Sequence, residues 1–153
     1  MRPATEEDAD LLLAWANDPV TRAAGSHPSP IDPASHRRWL ADHLASTASR
    51  LLVGLDDDRP IGQVRLDADD EGRVEVGIAV AAETRGRGIG RALLAAGLAA
   101  GLADPDLAVE VFVARIRPDN AASIALFTGA GFHAAGTDEE AGVPYLVYER
   151  AAG

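Results

Sequence analysis

The chain has 153 residues, 47% of them apolar and 25% charged, with no cysteine; this is the composition of one globular domain, and it excludes disulfides, Cys-ligated metals and Cys nucleophiles. Its formal net charge is −10 and every one of its 14 non-histidine cations is arginine, so the surface repels phosphate backbones and anionic bilayers and no nucleic-acid or membrane partner is expected. No apolar run approaches the roughly 18 residues of a membrane span, and the N-terminal MRPATEEDAD does not read as a signal peptide, which points to the cytoplasm.

A first strand before Arg2-Pro3 has only Met1 to Ala4 available, so either it is vestigial or the true start lies upstream. Thr5 followed by Glu6, Glu7 and Asp8 puts a capping oxygen and early acids at a helix start. Leu11, Leu12, Trp15 and Ala16 form its apolar stripe, and Asp18-Pro19 loosens or ends it. Gly25 to Pro33, with Pro28 and Pro30, reads as an ordered connection. Asp32-Pro33, a cap followed by Pro at the first helical position, opens a second helix carrying Trp39, Leu40, His43 and Leu44. The period then changes. Residues 50–56 and 60–67 are predicted as hairpin strands joined by Asp57-Asp58-Arg59. Residues 73–80 make a third strand, with Val74, Val76, Ile78 and Val80 on one face. Ile89, Leu93, Leu94, Leu98 and Leu102 repeat at helical spacing. Residues 107–116 read as a strand, and Asn120 to Ala130 as a helix closed by Gly131-Phe132. Strands over 132–137 and 143–150 flank a turn at 138–142. The order α-α-β-β-β-α-β-α-β-β implies one domain over 1–153, an α/β layered fold with a mixed sheet covered by helices.

Arg85-Gly86-Arg87-Gly88-Ile89-Gly90-Arg91 lies between a strand and a helix. Three glycines let the backbone approach a ligand, and the helix start adds free N–H groups and a positive dipole end, so the segment suits an anion; a Gly-rich structural turn is the plainer reading. A P-loop needs a lysine, and there is none. A dinucleotide fingerprint needs Gly-x-Gly-x-x-Gly, whereas the loop reads Gly-x-Gly-x-Gly without the upstream βαβ unit. His27, His36, His43 and His133 show no spacing for metal ligation, and no metal is expected.

Arg85, Gly88 and Gly90, together with Asn120, Ser123, Leu126, Phe127, Gly131 and Phe132, resemble the paired motifs of the GNAT superfamily of acetyl-CoA-dependent N-acetyltransferases. The resemblance covers roughly residues 2–150 and is strongest over 74–132. It implies a mostly antiparallel sheet with helices on both faces, splayed at the cofactor site between the strand before the loop and the strand after its helix. It implies acetyl-CoA as acetyl donor, with its pyrophosphate on the backbone of Arg87 to Ala92 and its pantetheine along Ile78, Ala79 and Val80. The loop residues Arg85, Gly86, Arg87, Gly88, Ile89, Gly90 and Arg91 and the second-motif residues Asn120, Ser123 and Phe127 are its cofactor set. Asn120, after Pro118-Asp119, is equally a helix cap.

An amine acceptor resembling lysine, with a pKa near ~10, must lose a proton before attack, and a carboxylate at the gap is a suitable acceptor. Glu75, between Val74 and Val76, is the first candidate base and Glu110 the second; a Glu on the solvated face of the strand is the alternative for Glu75. Many members of the family carry a Tyr that protonates the departing thiolate. Phe127 stands there, which leaves water, Tyr145 or Tyr148. Some members use a Glu as base five residues before the motif Asn, where Arg115 stands here.

Trp15, Asn17, Arg22, Ser26, Ile31, His36 and Trp39 resemble a subgroup that acetylates amino groups of nucleotide-linked sugars, and the same first-helix pattern occurs in enzymes acting on ribosomal-protein N-termini. Trp15, Arg22, His36 and Trp39 are therefore candidate acceptor contacts. His36 and Trp39, three apart on one helix, form either an aromatic wall for ligand or core packing. The expected activity is acetyl transfer to the primary amine of a small polar acceptor by direct attack. The rivals are protein N-terminal acetylation and a non-catalytic acyl-CoA sensor. A monomer or homodimer is expected.

Overall fold

The computed structural model describes residues 1–25 and 29–153. Ser26, His27 and Pro28, and with them the expectation for Ser26, lie outside the described residues. The strands are β1 (Arg2–Pro3), β2 (Ser49–Asp56), β3 (Arg59–Ala68), β4 (Arg73–Val80), β5 (Val111–Ile116), β6 (His133–Glu140) and β7 (Val143–Ala151). The helices are α1 (Ala9–Ala16), α2 (Pro19–Ala24), α3 (Pro33–Ala45), α4 (Ile89–Ala103) and α5 (Ala121–Gly129), with 3-10 turns at Glu6–Asp8 and Ala82–Thr84.

The strands form one sheet in the order β1-β2-β3-β4-β5-β7-β6. Every neighbouring pair is antiparallel except β4 and β5. The expected mixed, mostly antiparallel sheet is present, and its first strand is the two-residue β1, paired with Val53 and Leu52.

The register sorts the side chains into two faces. Leu52, Val64, Leu66, Val74, Val76 and Phe112 lie on one face and pack against Leu93, Leu94 and Leu98 of α4 and Phe127 of α5. Ile78 and Val80 share that face, as the alternation predicts. Phe112 is fully buried, a burial that stabilises by about 1.5–3 kcal/mol. α4 comes very close to β3: a Cβ on Gly97 would lie 2.6 Å from Val64 Cγ1. On the opposite face, α1 and α3 cover only the β1–β2 end. There Leu12, Trp15 and Leu40 pack on Leu51 and Val53. Beyond that end the face turns polar, with Gln63, Arg65, Asp67, Glu75 and Arg115 in register across β3, β4 and β5.

Three local expectations are corrected. Asp18-Pro19 does not simply end a helix; it starts α2, with Asp18 accepting from the N–H groups of Val20 and Thr21 and Pro19 in the first turn. This is the device that opens α3 at Asp32-Pro33. The strand expected from residue 107 starts at Val111, because residues 104–107 turn back on hydrogen bonds to Gly101 O and Asp104 O and Ala108 has φ +45°. The last hairpin turns on Ala141 and Gly142 alone, both with positive φ, the geometry of a two-residue turn matched to strand twist.

β4 and β5 pair only at Arg73↔Val111, Val74↔Phe112 and Glu75↔Val113. Both strands run on past that point, β4 to Val80 and β5 to Ile116. The sheet is open between them, with Glu75 at the last paired position.

Candidate functional site

Beside the unpaired part of β4 lies a cavity of about 840 Å³. One wall is β4, from Gly77 to Val80. The unpaired edge of β4 leaves backbone N–H and C=O groups free, as an extended ligand requires. The floor is the loop after β4 and the first turn of α4, with Arg85, Gly86, Gly88, Ile89, Gly90 and Arg91. Gly86 and Gly88 have φ of +81° and +76°, and nothing lies within 4 Å of a Cβ built on either. The left-handed conformation calls for glycine here, and the missing Cβ atoms leave the backbone bare toward the cavity. Gly88 is also the cap of α4 and supplies no side chain to its N–H groups. Those groups, at the positive end of a 15-residue helix, suit a phosphate.

A second helix start closes the far wall, with Asn120, Ala122, Ser123, Ala125 and Leu126 from α5. Asn120 Oδ1 accepts from Ser123 N at 3.1 Å, so its carbonyl is a cap while the residue still lines the cavity. α2 roofs the cavity with Val20, Thr21, Arg22 and Ala24. It is tied to both sides of the opening. Arg85, just past β4, donates to Asp18 Oδ2 at 2.8 Å. Arg117, just past β5, donates to Ala23 O at 3.1 Å and Gly25 O at 3.2 Å. The Arg85 hydrogen bond, with help from the α2 backbone, holds the Asp18 carboxyl below its usual range.

On the polar face of the sheet a smaller cavity of about 500 Å³ adjoins Asp67, Glu75, Val113, Arg115 and Asp138. Arg115 is its hub. Its guanidinium lies 3.7 Å from Glu75 Oε1, 3.2 Å from Asp138 Oδ2 and 3.8 Å from Glu140 Oε2, and 4.8 Å above the Tyr145 ring. Glu75 therefore sits beside a fixed cation at the point where β4 and β5 part.

The residues expected from the sequence divide into those the fold brings together and those it does not. Ile78, Ala79, Val80, Arg85, Gly86, Gly88, Ile89, Gly90, Arg91, Asn120, Ser123 and Arg22 line the larger cavity. Arg87 lies in the loop but is exposed and outside that lining. Phe127 is 3% exposed and packs edge-to-face on Phe132 at 5.1 Å, so it belongs to the core. Trp15 and His36 are buried as well, Trp15 because α1 turns it onto the β1–β2 end of the sheet. Trp39 stacks between His36 at 5.4 Å and His43 at 4.1 Å and lines neither cavity. The rings of His36, Trp39 and His43 thus pack on one another along α3. Tyr145 is buried beneath Arg115, and Tyr148 packs against the α4 face. Glu110 sits beside Gly72, before the paired stretch of β5 and away from the opening. Gln63, Arg65 and Gly77 line the larger cavity without a sequence signal, since they converge only through strand pairing. Among the described residues no group of three or more His, Asp or Glu is arranged to hold a metal ion, and no helix is long and apolar enough to cross a membrane.

Residues 1–133 match the family model described as an acetyltransferase (GNAT) domain. No curated protein matches the chain. Among solved structures, a ribosomal-protein-alanine N-acetyltransferase from Brucella melitensis is 29% identical, with 98% of each chain covered and a TM-score of 0.81. An N-acetyltransferase from Staphylococcus aureus Mu50 is 23% identical, covering 99% of this chain and 97% of its own, with a TM-score of 0.82. An aminoglycoside acetyltransferase in complex with coenzyme A is 21% identical, covering 98% and 92%, with a TM-score of 0.83.

Proposed function

The chain belongs to the acetyltransferase (GNAT) family, whose N-acetyltransferases draw on acetyl-CoA, and we propose that this member acetylates the primary amine of a small polar acceptor by direct attack, in the cytoplasm. The observation that carries the reading is one cavity that receives both the unpaired edge of β4 and the uncapped start of α4. A long ligand with an anionic middle and an extended arm fits that pair of surfaces.

Acetyl-CoA, when bound, supplies the activated thioester carbonyl. The loop N–H groups around Gly88 and Gly90 hold its pyrophosphate, and the β4 edge from Ile78 to Val80 orients its arm. Asn120 and Ser123 border the same ligand from α5. Glu75, at the last paired position of β4 and β5, takes the proton from the acceptor ammonium, directly or through water. The Arg115 guanidinium, 3.7 Å away, orients that carboxylate. No tyrosine lines the larger cavity among the described residues. The thiol leaving group, with an ordinary pKa near ~8.5, departs as thiolate into water without a side-chain acid. The absence of cysteine from the sequence excludes an acyl-cysteine intermediate, which supports direct attack.

A nucleotide-linked amino sugar is the leading acceptor. The 29% identity to a ribosomal-protein-alanine N-acetyltransferase favours one second reading, acetylation of a peptide N-terminus. Thiol release from acetyl-CoA, followed with a thiol-reactive dye across amino sugars, amino acids, polyamines and Ala-initiated peptides, tests both. Turnover confined to peptides selects the second reading. Tight acetyl-CoA binding with no turnover on any amine selects a sensor.

A further inference from the structure

We infer that the acceptor is an amine that also carries an anionic group, a carboxylate or a phosphate, held by the guanidinium groups of Arg22 and Arg65 beside the Gln63 amide. The inference rests on the acetyltransferase reading above and narrows its acceptor.

Three buried side-chain atoms of the larger cavity's wall make no hydrogen bond in the protein, Arg22 Nε, Arg65 Nε and Gln63 Oε1; Arg65 Nε keeps an ion pair with Asp67, which leaves Arg22 Nε, a donor, and Gln63 Oε1, an acceptor, as the two orphans. Buried polar groups are paired in the great majority of cases, so two orphans of opposite type in one cavity call for an explanation. Among the described residues no carboxylate pairs with Arg22. Of the other arginines near it, Arg85 is engaged by Asp18 and Arg117 by the α2 carbonyls; Arg91 also lines the cavity, but on the first turn of α4, on the phosphate side.

Arg65 completes the pair. It lies flat along Gly77, where a Cβ would come within 3.2 Å of its Nη2. Its Nε faces Asp67 Oδ2 at 2.7 Å, which fixes the fork and leaves the Nη groups for a planar anion. Position separates this pair from the cofactor phosphates. The register places Gln63 opposite Ala79 and Arg65 opposite Gly77, on the face of the sheet that carries Leu51 and Val53. Val64, Ile78 and Val80 point to the other face, against α4. The phosphate-binding loop opens α4, so the Arg65 face is the one left for the acceptor. The anionic group meets the two guanidiniums, a further donor of the acceptor meets Gln63 Oε1, and the amine extends the other way along the face, toward Glu75, which the register places opposite Asp67. The acids further along the face do not make a counter-case for a polycation, since Asp67 is paired with Arg65 and Glu75 and Asp138 with Arg115.

The test starts from protein saturated with coenzyme A, so that the loop is occupied and cannot report. Inorganic phosphate and, separately, acetate are titrated while the arginine Nε–H resonances are followed. The Arg22 resonance, assigned by its loss in Arg22→Gln, shifts saturably with phosphate, acetate or both, and the responsive anion identifies the source. An Arg22 resonance unmoved by either anion overturns the inference. Calorimetry runs in parallel: Arg22→Gln leaves acetyl-CoA affinity within about twofold of the parent, and a loss of about tenfold or more reassigns Arg22 to the cofactor and overturns the inference. Two matched pairs are then assayed, glucosamine 6-phosphate against glucosamine and β-alanine against its amide. The charged member is favoured by about tenfold or more in kcat/KM, and Arg22→Gln removes that preference. Equal rates within the pairs, or a polyamine that outruns all four, also overturn it. If coenzyme A itself does not bind, the acetyltransferase reading fails, and the failure shows at the first step.

Discussion

Asp18 Oδ2 lies 2.8 Å from Arg85 Nη2, and the same oxygen accepts Val20 N at 3.1 Å and Thr21 N at 3.3 Å. One carboxylate thus caps α2 and joins it to the loop that opens α4. The two roles separate by substitution. Asp18→Ala removes cap and ion pair together and costs about 1–3 kcal/mol. Asp18→Asn keeps a capping oxygen and loses only the ion pair, which in this half-exposed setting is worth about 1 kcal/mol or less. Urea unfolding of the two variants measures the difference. Equal losses would mean that the cap contributes nothing.

Acid stability follows from the same kind of pair. Arg2, Arg85 and Arg50 hydrogen-bond Asp8, Asp18 and Asp104 respectively and hold each carboxyl below its ordinary value of 3.8. A carboxylate depressed in the folded state stabilises fully above the unfolded pKa and loses that contribution as the pH falls through the folded one. His36 acts earlier. Burial, then the neighbouring Arg37, pushes its imidazole below 6.5. As the pH drops under 6.5 the unfolded chain takes up a proton that the folded chain refuses, so stability falls in that window. Melting temperatures therefore decline in two stages, the first below 6.5 and the second below about 4. His36→Gln flattens the first stage and leaves the second. A parent that melts at the same temperature at pH 7.5 and 5.5 contradicts the assignment to His36.

Gly90 separates cofactor approach from backbone strain. Its φ is not in the left-handed region, and an added Cβ would meet Val80 and Leu126 at 3.6 and 3.7 Å, ordinary contacts. Gly90→Ala should stabilise α4 by about 0.5–1 kcal/mol while placing a methyl group in the cavity floor. The expected result is a higher melting temperature together with acetyl-CoA affinity reduced by about tenfold. Gly88→Val lowers both, since φ is +76° there and a β-branched residue is strained in that region. Calorimetry on the pair gives the answer. Undiminished affinity in Gly90→Ala removes the loop from the cofactor site.

These glycines were legible in the sequence, whereas Gln63 and Arg65 were not. The loop from Arg85 to Arg91 and the run from Asn120 to Phe132 are contiguous, and their chemistry is backbone geometry set by local residue choice. Such features are legible because few residues apart from glycine fit them. The strand periods were legible for the same reason, with Val74, Val76, Ile78 and Val80 on the α4 face. α2 was not, since six residues give too short a window for helical periodicity. Gln63 and Arg65 reach the cavity only through pairing with β4, and no spacing announces them. Trp39 and His36 stayed open to two readings because a spacing of three on a helix fixes a shared face but not what that face meets. Here it is the β1–β2 end of the sheet and His43.

Glu75→Gln keeps the shape of the side chain and removes its proton-accepting charge. A fall in turnover of roughly 10²-fold is expected, the low end for a general base. The loss shrinks at high pH, where more acceptor amine is already neutral. Glu75 also faces Arg115 at 3.7 Å, so a structural effect must be told apart from a chemical one. Arg115→Gln serves for that. It removes the same ion pair yet keeps the carboxylate, and it should cost less turnover than Glu75→Gln at pH 7. If the two variants lose equally at every pH, Glu75 acts through its pairing and not as the base.

The last prediction concerns the thiolate. Phe127 is buried against Phe132, so Phe127→Tyr puts a hydroxyl into an apolar core and costs about 1–3 kcal/mol unless it finds a partner. It should lower stability and leave turnover no higher. Tyr145 lies under Arg115 with its centroid 4.8 Å from the guanidinium carbon. Tyr145→Phe keeps that ring and loses only the hydroxyl, so turnover should stay within about twofold of the parent, a shift of about 0.4 kcal/mol. Tyr145→Leu removes the ring and the cation–π contact, worth about 0.5–2 kcal/mol, and lets Arg115 drift from Glu75. Turnover should then fall with acetyl-CoA affinity unchanged. A pH–rate series decides between water and tyrosine. Without a tyrosine acid, the parent shows no alkaline limb near ~10, where a phenol would lose its proton. A limb there that disappears in Tyr145→Phe, with turnover lost at neutral pH, assigns the acid to Tyr145 and overturns departure as a free thiolate.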